Sequence, residues 1–205
     1  MILDTSVVCA KIQKKGLKRI NSMKKYNTEE EFAEEIKRCR EIYEKKSRDY
    51  GTSWRILRLP SLTDQIFIKA NRIRSIQESG EHRIAEGIGP EFIAMVNYAV
   101  MALIQLDLGK DGEMELSIDT ALELYDKHIG RTARLMLDKN HDYGEAWRQM
   151  RVSSMVDLVL MKLRRIKQIE DNDGRTEISE GVEGGYMDII NYSLFCMIKL
   201  TEEQQ

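Results

Sequence analysis

The feature that most constrains this chain is a stretch that occurs twice. Asp49-Tyr50-Gly51-Thr52-Ser53-Trp54-Arg55 returns as Asp142-Tyr143-Gly144-Glu145-Ala146-Trp147-Arg148. The match extends in both directions: Lys46 pairs with Lys139, Arg58 with Arg151, Ser61 with Ser154, Lys69 with Lys162 and Arg72 with Arg165. After one inserted residue, Glu86-Gly87 pairs with Glu180-Gly181 and Asn97-Tyr98 with Asn191-Tyr192. Self-similarity at one spacing over half a chain is a duplication. Two copies are too few for a solenoid. The expectation is two homologous three-helix units packed as an intramolecular pseudo-dimer, because a unit of about 90 residues buries only a thin core alone.

An all-α fold follows from two observations. Only two prolines occur, and strand-like alternation is hard to find. Residues 1–27 form an N-terminal arm without a counterpart. The first unit spans 28–108, a linker 109–117, and the second unit 118–205. Thr28 to Glu31 reads as a capping box, and Phe32, Ile36, Cys39 and Tyr43 at helical spacing predict a helix that Gly51 stops. Ser61 and Ser154 read as caps of the middle helices. Pro90 suits the first turn of the third helix, and Gly144 ends the helix that opens the second unit.

Composition bounds the partners. The chain carries 32 basic and 34 acidic residues among 205, for a formal charge of -2. No net basic field draws it to nucleic acid. Three scattered cysteines and three histidines share no metal-ligand spacing. No apolar run reads as a membrane span. A cytoplasmic protein is the expectation, with homo-oligomer formation left open.

Several repeated residues carry chemistry. Asp49 and Asp142 sit at the ends of their helices, where a carboxylate opposes the helix dipole. An arginine partner, Arg55 or Arg58 in the first unit, or a metal would explain the placement. Lys69 with Arg72, and Lys162 with Arg165, share a helical face, as phosphate ligands or as a solvated face. Trp54 and Trp147 either stack on a base or pack against a helix end, and Tyr50 and Tyr143 present the same choice. Asn97 and Asn191 lie inside apolar helices, where a buried amide needs a partner, either a neighbouring helix or a ligand. Asp188 precedes Asn191 by one turn and Glu183 precedes both, whereas the first unit has Ala94 and Gly89 there. The second unit is therefore expected to supply the carboxylates, with Asp142, Glu183 and Asp188 as catalytic groups around Mg²⁺.

The pattern Lys-x-x-Asp-Tyr-Gly-x-x-Trp-Arg, with a middle helix bearing Lys-x-x-Arg and a last helix bearing Asp-x-x-Asn-Tyr, resembles the nucleotide modification associated domain, type one, in a tandem two-copy form. The resemblance covers Phe32 to Leu106 and Tyr125 to Leu200. It implies a nucleotide or nucleotide-derived small molecule as partner. The substrate-binding set would then be Tyr50, Trp54, Arg55, Arg58, Lys69, Arg72 and Asn97, with Tyr143, Trp147, Arg148, Arg151, Lys162, Arg165, Asn191 and Tyr192. Glu31 and Glu34 also resemble the Glu-x-x-Glu of all-α MazG-type nucleotide pyrophosphohydrolases, although Leu124 and Lys127 stand at those places in the second unit. Two functions are expected: a nucleotide-binding protein acting as a Mg²⁺-dependent phosphohydrolase, or a non-catalytic helical module for nucleotide sensing or protein–protein interaction.

Overall fold

A computed structural model describes residues 27–80, 87–109, 112–176 and 181–203. It is all-helical over these residues. The first unit contains α1 (Thr28–Tyr50), α2 (Leu59–Ser79) and α3 (Gly89–Leu108). The second contains α4 (Ile118–Tyr143), α5 (Val152–Asp171) and α6 (Gly181–Glu202). A 3₁₀ turn follows the first helix of each unit, at Ser53–Ile56 and Ala146–Gln149.

The predicted glycine stops are present. Gly51 at φ 64° and Gly144 at φ 59° reverse the chain where a side chain would be strained. The caps lie elsewhere than the serine motifs indicated. Asn27, not Thr28, caps α1, its side chain accepting from the Glu30 amide at 3.3 Å. Arg58 and Arg151, in extended conformation, precede α2 and α5 and use no side-chain cap. Pro60 fits the first turn of α2 because the amide it lacks has no partner there. Thr63 therefore sits inside the helix and reaches across the units to Glu170, at 2.7 Å. The predicted arm at residues 1–27 lies, apart from Asn27, outside the described residues.

Helix contacts repeat when the two units are exchanged. Within the units, α2 packs on α3 as α5 packs on α6, and α1 touches α3 as α4 touches α6. Between units, each helix meets its counterpart: α1 with α4, α2 with α5, α3 with α6. The cross pairs α1 with α6 and α3 with α4 complete the set. The core is shared, with Phe92, Met95, Ile104, Tyr186, Ile190 and Leu194 all buried along α3 and α6. Among the described residues α3 alone has the length and apolar content of a membrane span, which the sequence reading missed. Those apolar side chains face α1, α2, α4 and α6. A helix apolar on most sides is what a central position demands.

Candidate functional site

The repeated turn sorts its aromatic residues by direction. Gly51 and the 3₁₀ turn swing Trp54 inward to 8% exposure, and Trp147 lies at 7%. The adjoining tyrosines point outward, Tyr50 at 58% and Tyr143 at 77% exposure. The carboxylates do not take the arginine partners expected of them. Asp49 is exposed and has no ion pair among the described residues. Asp142 is exposed and, among the described residues, pairs only with His141, at 3.3 Å. Each sits at a helix end that water covers, so a salt bridge is not required to hold it.

In the first unit the repeated residues converge on an open cavity of about 620 Å³ between the end of α1, the 3₁₀ turn and the first half of α3. Lys46, Tyr50, Gly51, Trp54, Asn97 and Tyr98 all line it, and Ile93, Ala94 and Met101 supply apolar wall. The size is ordinary for a small-molecule site. The Tyr43 hydroxyl and the Trp54 indole nitrogen are buried at this wall and interact with each other without a well-aligned hydrogen bond, and the Trp147 indole nitrogen of the second unit likewise has no aligned partner. Burial pushes the Tyr43 hydroxyl up to about 12, so it remains protonated, with hydrogen bonding to Trp54 and Ser47 opposing that shift. Lys46 is exposed and makes no ion pair among the described residues. Asn97 has the inter-helix role. Its amide donates to the Cys39 carbonyl at 3.1 Å and accepts from the Tyr125 hydroxyl of α4 at 2.9 Å.

The equivalent place in the second unit is filled. Phe195 stands where the first unit has Met101, and its ring stacks on Trp147 at 4.3 Å and 11°. Such pairs contribute about 0.5–1.5 kcal/mol beyond burial. Asp188 stands where the first unit has Ala94. It accepts from Lys139 at 3.2 Å and Lys162 at 2.6 Å. Asn191 is buried with no partner on its amide oxygen. The reason is legible: Phe32 occupies the position equivalent to Tyr125 and has no hydroxyl to give. Tyr192, the counterpart of Tyr98, is half-buried beside it.

The cations divide differently from the expected phosphate pairs. Lys69 and Arg72 both grip Glu91, a buried carboxylate that Gly185 replaces in the second unit. Arg58, Arg151 and Arg165 are exposed. Arg148 is a structural hub. At 8% exposure it reaches Glu145 at 2.8 Å, Glu202 at 2.8 Å, Glu31 and the Thr28 hydroxyl at 2.9 Å, joining α1 to the end of α6. Its guanidinium also lies over the Trp147 ring. Burial pushes the Glu145 carboxyl up, but hydrogen bonds from Thr28, Asn140 and Arg148 outweigh it and hold it below its ordinary value. Arg55, the counterpart of Arg148, is 4% exposed and has no carboxylate on it among the described residues. Its Nε donates to the Glu113 carbonyl at 2.9 Å, and burial lowers its pKa.

The residues present do not fit the expected Mg²⁺ site. Asp188 is held between two lysines and Glu183 by Arg131, while Asp142 lies at the exposed end of α4. Among the described residues no three histidine, cysteine, aspartate or glutamate side chains are grouped to hold a metal. Glu31 is taken by Arg148 and Glu34 is exposed, so the MazG-like pair is not a metal cluster either.

A family model described as nucleotide modification associated domain 1 matches residues 46–106 and 139–200, together more than half of the chain. Neither a curated protein nor a solved structure matches significantly. The two matched segments begin at Lys46 and Lys139 and end within α3 and α6, so each takes in one Trp-bearing turn and the helix facing it.

Proposed function

Because the chain belongs to the nucleotide modification associated domain 1 family, we propose that the cavity of its first unit binds a nucleotide or nucleotide-derived small molecule. One observation carries this reading: six of the repeated residues of that unit, Lys46, Tyr50, Gly51, Trp54, Asn97 and Tyr98, line one open, largely apolar cavity. Tyr50 at the rim offers a ring face, and Lys46 a positive charge for a phosphate. The proposal is a binding module and not a Mg²⁺-dependent hydrolase. Its basis is the lysine and arginine partners already held by Asp188 and Glu183.

The experiment is a thermal-shift screen of nucleosides and nucleotides, with and without Mg²⁺, on wild type and on Met101→Phe. A ligand that binds only the native state raises its melting temperature. The expected outcome is a concentration-dependent rise in wild type, independent of Mg²⁺ and absent in Met101→Phe. No rise with any nucleotide, or an equal rise in Met101→Phe, overturns the reading.

A further inference from the structure

The second unit carries, as its own side chains, two chemical parts placed where the first unit has space. Phe195 lays a flat ring on Trp147, and Asp188 lays an anion on Lys139. The equivalent residues in the first unit are Met101 and Ala94, and the equivalent partners are Trp54 and Lys46. All four line the open cavity. We propose that the first unit's ligand is a nucleoside monophosphate, its base stacked on Trp54 where Phe195 stacks on Trp147, and its phosphate on Lys46 where Asp188 meets Lys139. The proposal rests on the nucleotide reading above and narrows it.

The geometry of the filled copy sets the requirements. A ring at 4.3 Å and 11° from the indole is the stacking that a base makes on an aromatic platform. The ring and the carboxylate leave the same helix seven residues apart, about two turns, which separates them by about 10 Å along α6. A base and a 5′-phosphate bracket a ribose over a comparable span. Met101 is a flexible side chain that can move aside for a ring. Ala94 leaves Lys46 without the internal anion that Lys139 has.

Charge selects the number of phosphates. In the second unit Asp188 bridges Lys139 and Lys162. In the first, Lys69, the counterpart of Lys162, is held with Arg72 on buried Glu91. Glu91 thus removes two cations from play and leaves Lys46 as the lysine lining the cavity. One lysine suits one phosphate. Among the residues lining the cavity no second lysine or arginine stands ready for the further phosphates of a triphosphate.

The experiment is calorimetric titration of the full chain with adenosine, guanosine, cytidine and uridine, their 5′-monophosphates and 5′-triphosphates, and inorganic phosphate. It is repeated on Lys46→Met and Ala94→Asp, with melting curves to verify folding. For the best base, the monophosphate is expected to bind about tenfold tighter than its nucleoside, the scale of one charge-assisted contact. It should also bind tighter than the triphosphate, with phosphate alone not binding. Lys46→Met should bring the monophosphate to the nucleoside's affinity while leaving the nucleoside unchanged. Ala94→Asp, which supplies the internal anion, should do the same. If nucleosides and monophosphates bind equally in wild type, or the triphosphate binds tightest, the monophosphate assignment falls while nucleotide binding stands. If nothing binds, the underlying reading falls with it. Should Ala94→Asp not fold, Lys46→Met decides alone.

Discussion

The cavity beside Trp54 and the filled space beside Trp147 share one frame. Each is bounded by a helix end, a glycine stop, a 3₁₀ turn and a helix bearing Asn-Tyr. What separates them is one helix face. Met101 and Ala94 line a cavity of about 620 Å³, whereas at the equivalent positions Phe195 stacks on Trp147 and Asp188 bridges Lys139 and Lys162. The same contrast extends to the arginine that follows each tryptophan. Among the described residues Arg148 gathers three carboxylates, and Arg55 none. Duplication supplied two copies of a scaffold, and a few side chains left one an open cavity and made the other a structural anchor.

The comparison is broken most readily at the arginines. Arg148→Met strands Glu31, Glu145 and Glu202 near one another, and should cost about 3 kcal/mol, since removing one partner of a buried ion network leaves uncompensated charge. Arg55→Met removes a buried cation that has no carboxylate among the described residues and loses one hydrogen bond to Glu113, so its stability should lie within about 1 kcal/mol of wild type. Urea unfolding of the two variants measures both. Equal losses would mean that the two arginines are not functionally distinct.

A smaller effect separates the asparagines. Asn97→Leu leaves the Tyr125 hydroxyl and the Cys39 carbonyl without their partner and should cost about 2 kcal/mol. Asn191→Leu removes an amide whose oxygen is already unpartnered, and should be neutral or stabilising. A loss at Asn191 as large as that at Asn97 would show that the second unit satisfies its amide in solution.

The smallest effect is acid sensitivity. His128 in α4 stands where α1 has Glu35, a buried carboxylate paired with Arg38. Burial lowers the His128 pKa from its ordinary 6.5, with Asp107 opposing that shift. The folded state therefore binds this proton less readily than the unfolded chain. Stability should fall as pH drops below about 6.5 toward the depressed folded value, and should be unaffected above it. Melting temperatures across that window, in wild type and His128→Gln, give the test. A flatter profile in His128→Gln is expected, and identical profiles would remove His128 as the cause.

Much of the fold was legible because it rests on local rules. Apolar spacing predicted helices, and Gly51 and Gly144 marked their ends by needing positive φ. Cap positions were less legible, since Ser61 and Ser154 imitate caps while Pro60 and the extended Arg58 and Arg151 set the true starts. The site was legible in its members and not in its state. Lys69 and Arg72 look free until α3 brings Glu91 against them. Ala94 opposite Asp188 was visible in the repeat, but a small residue reads as a lost ligand when it is in fact an opening. Whether Trp54 faces space or a ring depends on residue 101, nearly fifty positions away, which only tertiary packing reports.

The hydroxyl of Tyr125 reaches across the unit boundary to Asn97, on the helix that walls the cavity. A chain cut within the linker would therefore lose that bond along with the second unit. The first fragment would keep Trp54, Lys46 and Met101 and yet have an amide acceptor with nothing to bind. Such a fragment would have to borrow a tyrosine from another molecule, so the natural quantum of this architecture is a pair of units, whether one polypeptide or two provide it.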